Sequence, residues 1–535
     1  MEPSANYQIS SQIYSPLDSS KQEHRLLRFV GGKRSLAWEL GTFSLLPDRQ
    51  HEHPPMIALS YCWGRAAANK AITLNGHEFL VRQNLYDFLV QMASENRRDW
   101  FFVDAICINQ DDIPERSVQV TYMGQIYRIA EEVIAWIYFE DTDDPKVMKQ
   151  GDIQAHVREY QLLEKEKQQS GQDLAPEERH LLDSLQQMAW QLAASSSYWS
   201  RLWIVQELLL APNLTIRWSS LTFHWKDIMS LRIRDVDIPS IELDPPTGRP
   251  LRPHQLTTMR KAGLFTYEHL PNSAENSIMC KQLWHWKDSA GNDLQKGNLL
   301  KFHEAVAFFS VQQCGVMHDN VYALLGIAER AIEPDYDMPL LDLYTAALYN
   351  YLLSLWSVQR SGHDGKTAIG TRDWDTLIDL GLDYNKLLAP GETFLHAFQL
   401  DPFHDLVFLM TYEVCKRFSE DAALLATQGL AANWLFHTEY TKLEVGAADD
   451  LVKRKWYESE DRALKRFNKD LMARVEKAKE RLNKLERKDG VLEAPHWSAP
   501  IKAPASDGRT KTCSEWVSGA KSLCDNVWTR WSQAQ

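Results

Sequence analysis

The chain has no run of about 18 apolar residues, no Cys-x-x-Cys pair and no surplus of positive charge. Each absence removes a class of protein. Without such a run, no membrane-spanning helix is expected. The seven cysteines, at 62, 107, 280, 314, 415, 513 and 524, are odd in number and scattered, which suggests neither a disulfide framework nor a zinc site. Cys62 and Cys107 lie in apolar runs and read as small buried hydrophobes rather than nucleophiles. A formal net charge of −13 argues against whole-chain attraction to nucleic acid or to an anionic membrane. The first 20 residues are polar and show no basic stretch leading into an apolar one, so no secretory signal is read there. Together these absences point to a reduced, cytoplasmic protein.

What is present is ordinary globular composition, 44% hydrophobic and 24% charged over 535 residues, enough for two or three domains. Residues 56–61 form a short apolar run that suits a buried strand. Ala71 to Leu74 and His77 to Val81 flank Asn75-Gly76, a two-residue hairpin signal. Asn84 is placed to cap a helix carrying Leu85, Phe88, Leu89 and Met92 on one face. Trp100 to Val103 reads as a second buried strand. Asp112-Ile113-Pro114-Glu115 reads as a helix start with a capping box, and residues 133–137 as the next strand. Strand, helix and strand in this rhythm imply a right-handed βαβ unit in a parallel sheet.

The expected organisation is an α/β domain over 1–235, interrupted by a charged helical insertion at about 141–197. The pattern resumes with a helix from Tyr198 to Ala211 and a strand from Leu214 to Trp218. A linker or irregular segment follows over 236–298, then a mainly α-helical domain over 299–445. Residues 446–490 carry Leu464, Phe467, Leu471, Val475, Ala478, Leu482 and Leu485 at helical spacing on a charged background. That stripe suits one amphipathic helix packed on its own protein, or a short dimerising coil. The tail over 491–535, with prolines at 495, 500 and 504, reads as loosely ordered.

In an open parallel sheet, ligands gather beyond the carboxyl ends of the strands. Two residue blocks fall at such ends. In the first, Ser60 to Gly64, Gly64 permits a sharp turn, and Tyr61 and Trp63 offer flat faces for stacking. In the second, Asp104, Asn109 and Gln110 offer carboxylate and amide groups for hydroxyls or a base edge. The competing reading is that such groups bond loop backbone. A third block places Trp199, Trp203 and Glu207 four apart on one helical stripe. Glu207 then sits beside indole rings, where desolvation raises its pKa, and Arg201 is near enough to pair with it or to hold a phosphate. The plain alternative is a helix-surface glutamate in a salt bridge.

The blocks Ala58-Leu59-Ser60-Tyr61-Cys62-Trp63-Gly64, Asp104-Ala105-Ile106-Cys107-Ile108-Asn109-Gln110 and Arg201-Leu202-Trp203-Ile204-Val205-Gln206-Glu207-Leu208 resemble, in order and spacing, the fungal heterokaryon-incompatibility (HET) domain family. Tyr14 to Leu17, Arg25 to Leu27, Asp319 to Gly326 and Pro334 to Tyr336 extend the resemblance over roughly residues 14–345. The Gly-rich segment of many relatives is not evident. The resemblance implies a TIR-like fold, a parallel sheet flanked by helices, and a part in non-self recognition and programmed cell death. Many TIR domains cleave NAD using a glutamate in a tryptophan-containing helix block, and Glu207 stands in that glutamate's place. On that reading Glu207 is catalytic, and NAD+ is a substrate rather than a cofactor. Ser60, Tyr61, Trp63, Gly64, Asp104, Asn109, Gln110, Arg201 and Trp203 line the substrate site, and no metal is required. Homo-oligomerisation or an unidentified protein partner completes the expectation. The alternative is a non-catalytic module that self-associates or recruits a partner.

Overall fold

The computed structural model describes residues 12–137 except 33–34, 48–52 and 65, and residues 196–224 except 219–220. It also describes 291–361 except 310–311 and 330–331, then 405–415, 475–484 and 512–534, with isolated positions between. The chain divides into two compact units. One holds residues 1–251, 259–299 and 311–314; the other holds 252–258, 300–310 and 315–535.

The first unit is built on a nine-stranded sheet. Its strands are β1 (Glu23–Phe29), β2 (Ala37–Ser44), β3 (Met56–Tyr61), β4 (Lys70–Leu74), β5 (His77–Val81), β6 (Trp100–Phe102), β7 (Glu132–Trp136), β8 (Leu214–Trp218) and β9 (Leu221–His224). The spatial order is β5-β4-β2-β1-β6-β3-β7-β8-β9. The four strands β6-β3-β7-β8 are parallel to one another. β1 joins β6 antiparallel, and β8 pairs antiparallel with β9. The sheet is therefore α/β in its centre and mixed at its margins. Every residue of β3 is buried, as a near-continuous apolar run in a parallel sheet demands.

Local chemistry accounts for the joints. Asn75 and Gly76 both take positive φ, 50° and 84°, the conformation a tight two-residue turn between β4 and β5 requires. Helix α1 (Gln83–Ser94) buries Leu85, Phe88, Leu89 and Met92. Its N-cap position is Arg82, and Asn84 is the second residue of the helix, within its first turn. The Asn84 side chain does not cap. It donates to the Cys62 carbonyl and accepts the Trp136 indole N–H at 2.9 Å. After β6, the short helix α2 (Asp104–Cys107) leads to α3 (Ile113–Ile129). Asp112 caps α3 by accepting the Glu115 N–H at 2.9 Å, so half of the expected capping box forms. The Glu115 carboxylate is drawn away to Arg25, to which it is bidentate, and to the Asn109 N–H.

The expected helix from Tyr198 to Ala211 is broken. A 3-10 turn over Ser197–Ser200 is followed by an extended Arg201 and then by α4 (Ile204–Leu209). The break has a tertiary cause. Arg201 bridges to Gln313 in parallel fashion, with Leu202 N–H on the Gln313 carbonyl at 2.8 Å and Gln313 N–H on the Ser200 carbonyl at 2.6 Å. Trp199, Trp203 and Glu207 consequently do not share one helical stripe. α4 packs against α3, β3 and β7. Part of the segment read as a linker is helical: α5 (Gly291–Gln295) packs on α4, and Lys287 and Gln295 donate to the Ala211 carbonyl just past the end of α4. The charged insertion over 141–197 lies largely outside the described residues.

The second unit is helical where described, with α6 (Phe302–Phe309), α7 (Asp319–Tyr322), α8 (Leu340–Ser361), α9 (Asp405–Cys415) and α10 (Cys513–Ala534). Of the expected amphipathic stretch, residues 475–484 are helical, with Val475, Ala478 and Leu482 buried. The rest of that stretch lies outside the described residues. The tail expected to be loosely ordered instead contains α10, 22 residues long and packed on α8 and α9. Trp516, Ala520, Cys524 and Val527 recur on its buried face, a helical spacing that the three upstream prolines masked from composition-based reading. Among the described residues no helix is long and apolar enough to cross a membrane.

Candidate functional site

The carboxyl ends of β3 and β6 face the amino-terminal end of α4. From β3 the chain crosses by way of α1 to β6 on one side, and from β6 by way of α3 to β7 on the other. Loops leaving neighbouring strands in opposite directions open a crevice beyond the strand ends, where α/β folds place ligands. Ser60 and Tyr61 end β3 at that point, and Asp104 follows β6.

At the floor is Glu207, only 2% exposed. The Ser60 hydroxyl donates to its Oε2. Ser60 Oγ lies 2.6 Å from the Tyr198 hydroxyl, and since the Ser60 proton is committed to Glu207, Tyr198 is the donor in that pair. The result is a buried relay, Tyr198 to Ser60 to Glu207. Burial pushes the Glu207 carboxyl up, and Asp104 adds to the rise. The Arg201 charge, the Ser60 hydrogen bond and the neighbouring Tyr127 hydroxyl oppose it, and the value settles at about 7. A carboxyl group so poised exchanges its proton at neutral pH, the property expected of a general acid or base.

Above this floor lies a half-buried rim of Arg201, Asp104 and Trp63. The extended Arg201 backbone sends its guanidinium to the Tyr61 carbonyl. Burial would weaken that cation, but Glu207, Cys62, Asp104 and Tyr61 act in the opposite sense, and its pKa is raised. Asp104 is raised by burial despite Arg201, the Ala105 N–H at 2.8 Å and the Trp63 indole. The Trp63 Nε1–H points between the two Asp104 oxygens, 3.0 and 3.2 Å away. Arg201 thus stands between two desolvated carboxyl groups, a balance of charge that water would otherwise supply.

The residues singled out from sequence separate into two groups. Ser60, Glu207, Arg201, Asp104 and Trp63 converge. Gly64 takes φ +76°, as a sharp turn after Trp63 requires, and its carbonyl accepts from Arg82. The others are placed as supports. The Tyr61 ring is buried in the core, where it has no open face for stacking. The Gln110 amide braces the Asp104 carbonyl at 2.9 Å, and the Asn109 N–H is held by Glu115 at 2.7 Å. Trp203 is half-buried at the start of α4. Sequence reasoning passed over Tyr198 and Tyr127 as site residues. Both sit at apolar positions yet carry a hydroxyl that must be satisfied when buried, and Tyr127 also donates to the Leu59 carbonyl at 2.8 Å. Among the described residues no group of three or more His, Cys, Asp or Glu is placed to hold a metal ion.

Comparison with known proteins bears on the same residues. The family model described as "Heterokaryon incompatibility protein (HET)" matches residues 56–207, from the first residue of β3 to Glu207 itself. "Heterokaryon incompatibility protein 6, OR allele" of Neurospora crassa is 32% identical over 108 residues. That similarity covers 18% of this chain and 16% of the curated relative. No solved structure matches.

Proposed function

We propose that the protein, whose residues 56–207 match the HET family model, acts in fungal non-self recognition and the cell death that follows it, by hydrolysing NAD+ at Glu207. The name of the Neurospora relative supports the first part. The second rests on one observation: a buried carboxyl group with a pKa of about 7, joined to Ser60 and Tyr198, at the carboxyl end of the central strand.

Water replaces nicotinamide at the anomeric carbon in this reaction. The C–N bond breaks with its electron pair going to nicotinamide, which leaves as a neutral molecule and needs no acid. The ribose passes through an oxocarbenium-like state that an adjacent carboxylate stabilises. Water then bonds to the anomeric carbon and gives up a proton, which Glu207 accepts. The products are nicotinamide, ADP-ribose and a proton. Asp104 and Arg201 are the rim groups available to ribose hydroxyls and to phosphate respectively.

A second reading is favoured by the same burial. Glu207 is 2% exposed, and its hydrogen bond to Ser60 ties α4 to β3. In that reading the glutamate is a strut, and the domain works by self-association or by recruiting a partner. The experiment that decides is release of nicotinamide from NAD+ by the purified chain, alone and forced to oligomerise, with Glu207→Gln alongside. Turnover by the wild type and none by a variant of unchanged circular dichroism supports the enzyme. No turnover in any assembly state rejects it in favour of the strut.

A further inference from the structure

The contact between Trp63 and Asp104 has the form of a ligand contact made by the protein to itself. We propose that the Trp63 indole N–H occupies the position of a sugar hydroxyl, and that a vicinal diol displaces it to engage Asp104. This proposal rests on the reading of the crevice as a nucleotide site.

A single N–H shared between two carboxylate oxygens, at 3.0 and 3.2 Å, is a divided bond. Two hydroxyls on neighbouring carbons offer two donors at a spacing suited to the two oxygens, giving paired charge-assisted bonds where one divided bond stood. Desolvation raises the Asp104 pKa, which means that the carboxylate is poorly compensated where it is and gains from better donors. The Ala105 N–H already serves Oδ1 at 2.8 Å, so the divided indole bond leaves Oδ2 as the oxygen with more to gain from a second donor.

The surroundings let the indole leave without disturbing the strand. Up to Cys62 the chain is pinned: Arg201 holds the Tyr61 carbonyl, and Asn84, itself fixed by Trp136, holds the Cys62 carbonyl. Past Trp63, Gly64 has φ +76° with open space about its Cβ position. The Arg82 guanidinium lies 5.8 Å from the Trp63 ring centre and also holds the Gly64 carbonyl, so the loop backbone stays fixed on both sides of Trp63 and only its side chain has to turn. Once moved, the ring remains beside the site as a platform for a flat base.

The test measures binding, not turnover. ADP-ribose is titrated calorimetrically into the full chain carrying Glu207→Gln, alone and combined with Trp63→Phe or with Asp104→Asn. Phenylalanine keeps an aromatic face but has no N–H, so Trp63→Phe is expected to tighten binding about tenfold, the effect of removing one competing hydrogen bond. Asp104→Asn is expected to weaken it by a similar factor. An ADP-ribose analogue lacking the 2-hydroxyl of its terminal sugar is expected to show no gain from Trp63→Phe. Should Trp63→Phe fail to fold, Trp63→Met, which has no donor, tests the same loss of the N–H. Unchanged or weaker binding by the folded Trp63 variant overturns the proposal, as does an equal gain with the analogue. Absence of ADP-ribose binding in every folded variant also overturns it. NAD+ cleavage is scored separately on the wild type, so a chain that binds as expected but does not cleave loses the enzymatic reading and keeps this one.

Discussion

Ser60 and Glu207, 147 positions apart, share a buried hydrogen bond that joins the end of the central strand to the first turn of the helix beside it. The contact is completed by Tyr198 on the other side of the serine hydroxyl. The serine hydroxyl is thus held from both sides, and removing Glu207 takes away the acceptor of its proton.

Glu207→Ala is therefore expected to destabilise the first unit by about 1–3 kcal/mol, the cost of a buried donor left unmatched. Glu207→Gln, which retains an acceptor for Ser60, is expected to cost less. Denaturant melts of the two variants check this. Equal losses would show that the carboxylate charge, not the acceptor, holds the contact.

The raised Glu207 pKa sets a pH dependence of stability. The folded value of about 7 lies above the ordinary carboxyl value of 4.5, so between them the native state holds a proton that the unfolded state has lost. The resulting stabilisation is complete below about 4.5 and is lost as pH rises through about 7. Glu207→Gln is expected to flatten the stability profile between those values. Any NAD+ cleavage that needs the carboxylate should instead increase as pH rises through 7.

Histidine works in the opposite direction on β1, two strands from β3 in the sheet. His24 is fully buried, stacked on His53 at 4.9 Å, with their Nε2 atoms 3.0 Å apart. Burial, with a smaller contribution from His53, holds His24 down at about 3, and burial lowers His53 as well. The unfolded chain takes up protons near 6.5 that the native pair refuses, so stability is full above 6.5 and declines as pH falls towards 3. Replacing His24 by Phe should remove part of this acid limb, read from denaturant midpoints at pH 7 and 5. An unchanged limb would assign it to other groups.

Arg25 is 2% exposed and bidentate to Glu115, and it also donates to the Cys107 and Ser15 carbonyls. Breaking a buried pair from one side strands a charge, at about 3–5 kcal/mol. Glu115→Ala is expected to lower stability in that range and to speed amide exchange at Asn109, whose N–H the same carboxylate holds. A loss below about 1 kcal/mol would place this pair with solvent-screened ones.

In the second unit, Trp516 is completely buried on α10. Trp516→Ala is expected to cost about 3–5 kcal/mol, as for other large-to-small core changes, measured by thermal or chemical unfolding. A near-neutral result would mean that α10 contributes little to that core.

The elements legible in the sequence were those fixed by neighbours in the chain. The apolar run of β3, the turn at Asn75-Gly76, the buried face of α1 and the Asp112 cap depend on side-chain period, on residues tolerant of positive φ and on a carboxylate next to free N–H groups. Each of these is a local property. The blocks containing Ser60, Asp104 and Glu207 were likewise visible as strand ends and as a helix. What the local pattern could not show is where backbone groups find distant partners. The segment from Tyr198 to Ala211 has helical spacing, yet it is cut at Arg201 because residues 200–202 exchange hydrogen bonds with Gln313. That cut turns Arg201 towards Tyr61 and leaves Glu207 at the start of a separate helix. Asn84, a good cap by composition, is instead claimed by Cys62 and Trp136, and Glu115 by Arg25. By itself the sequence determined the α/β centre and the identity of the candidate carboxylate. Tertiary structure alone decided its burial, its hydroxyl relay and its charge balance, because desolvation and hydrogen-bond partnership arise only when residues far apart in the chain are packed together.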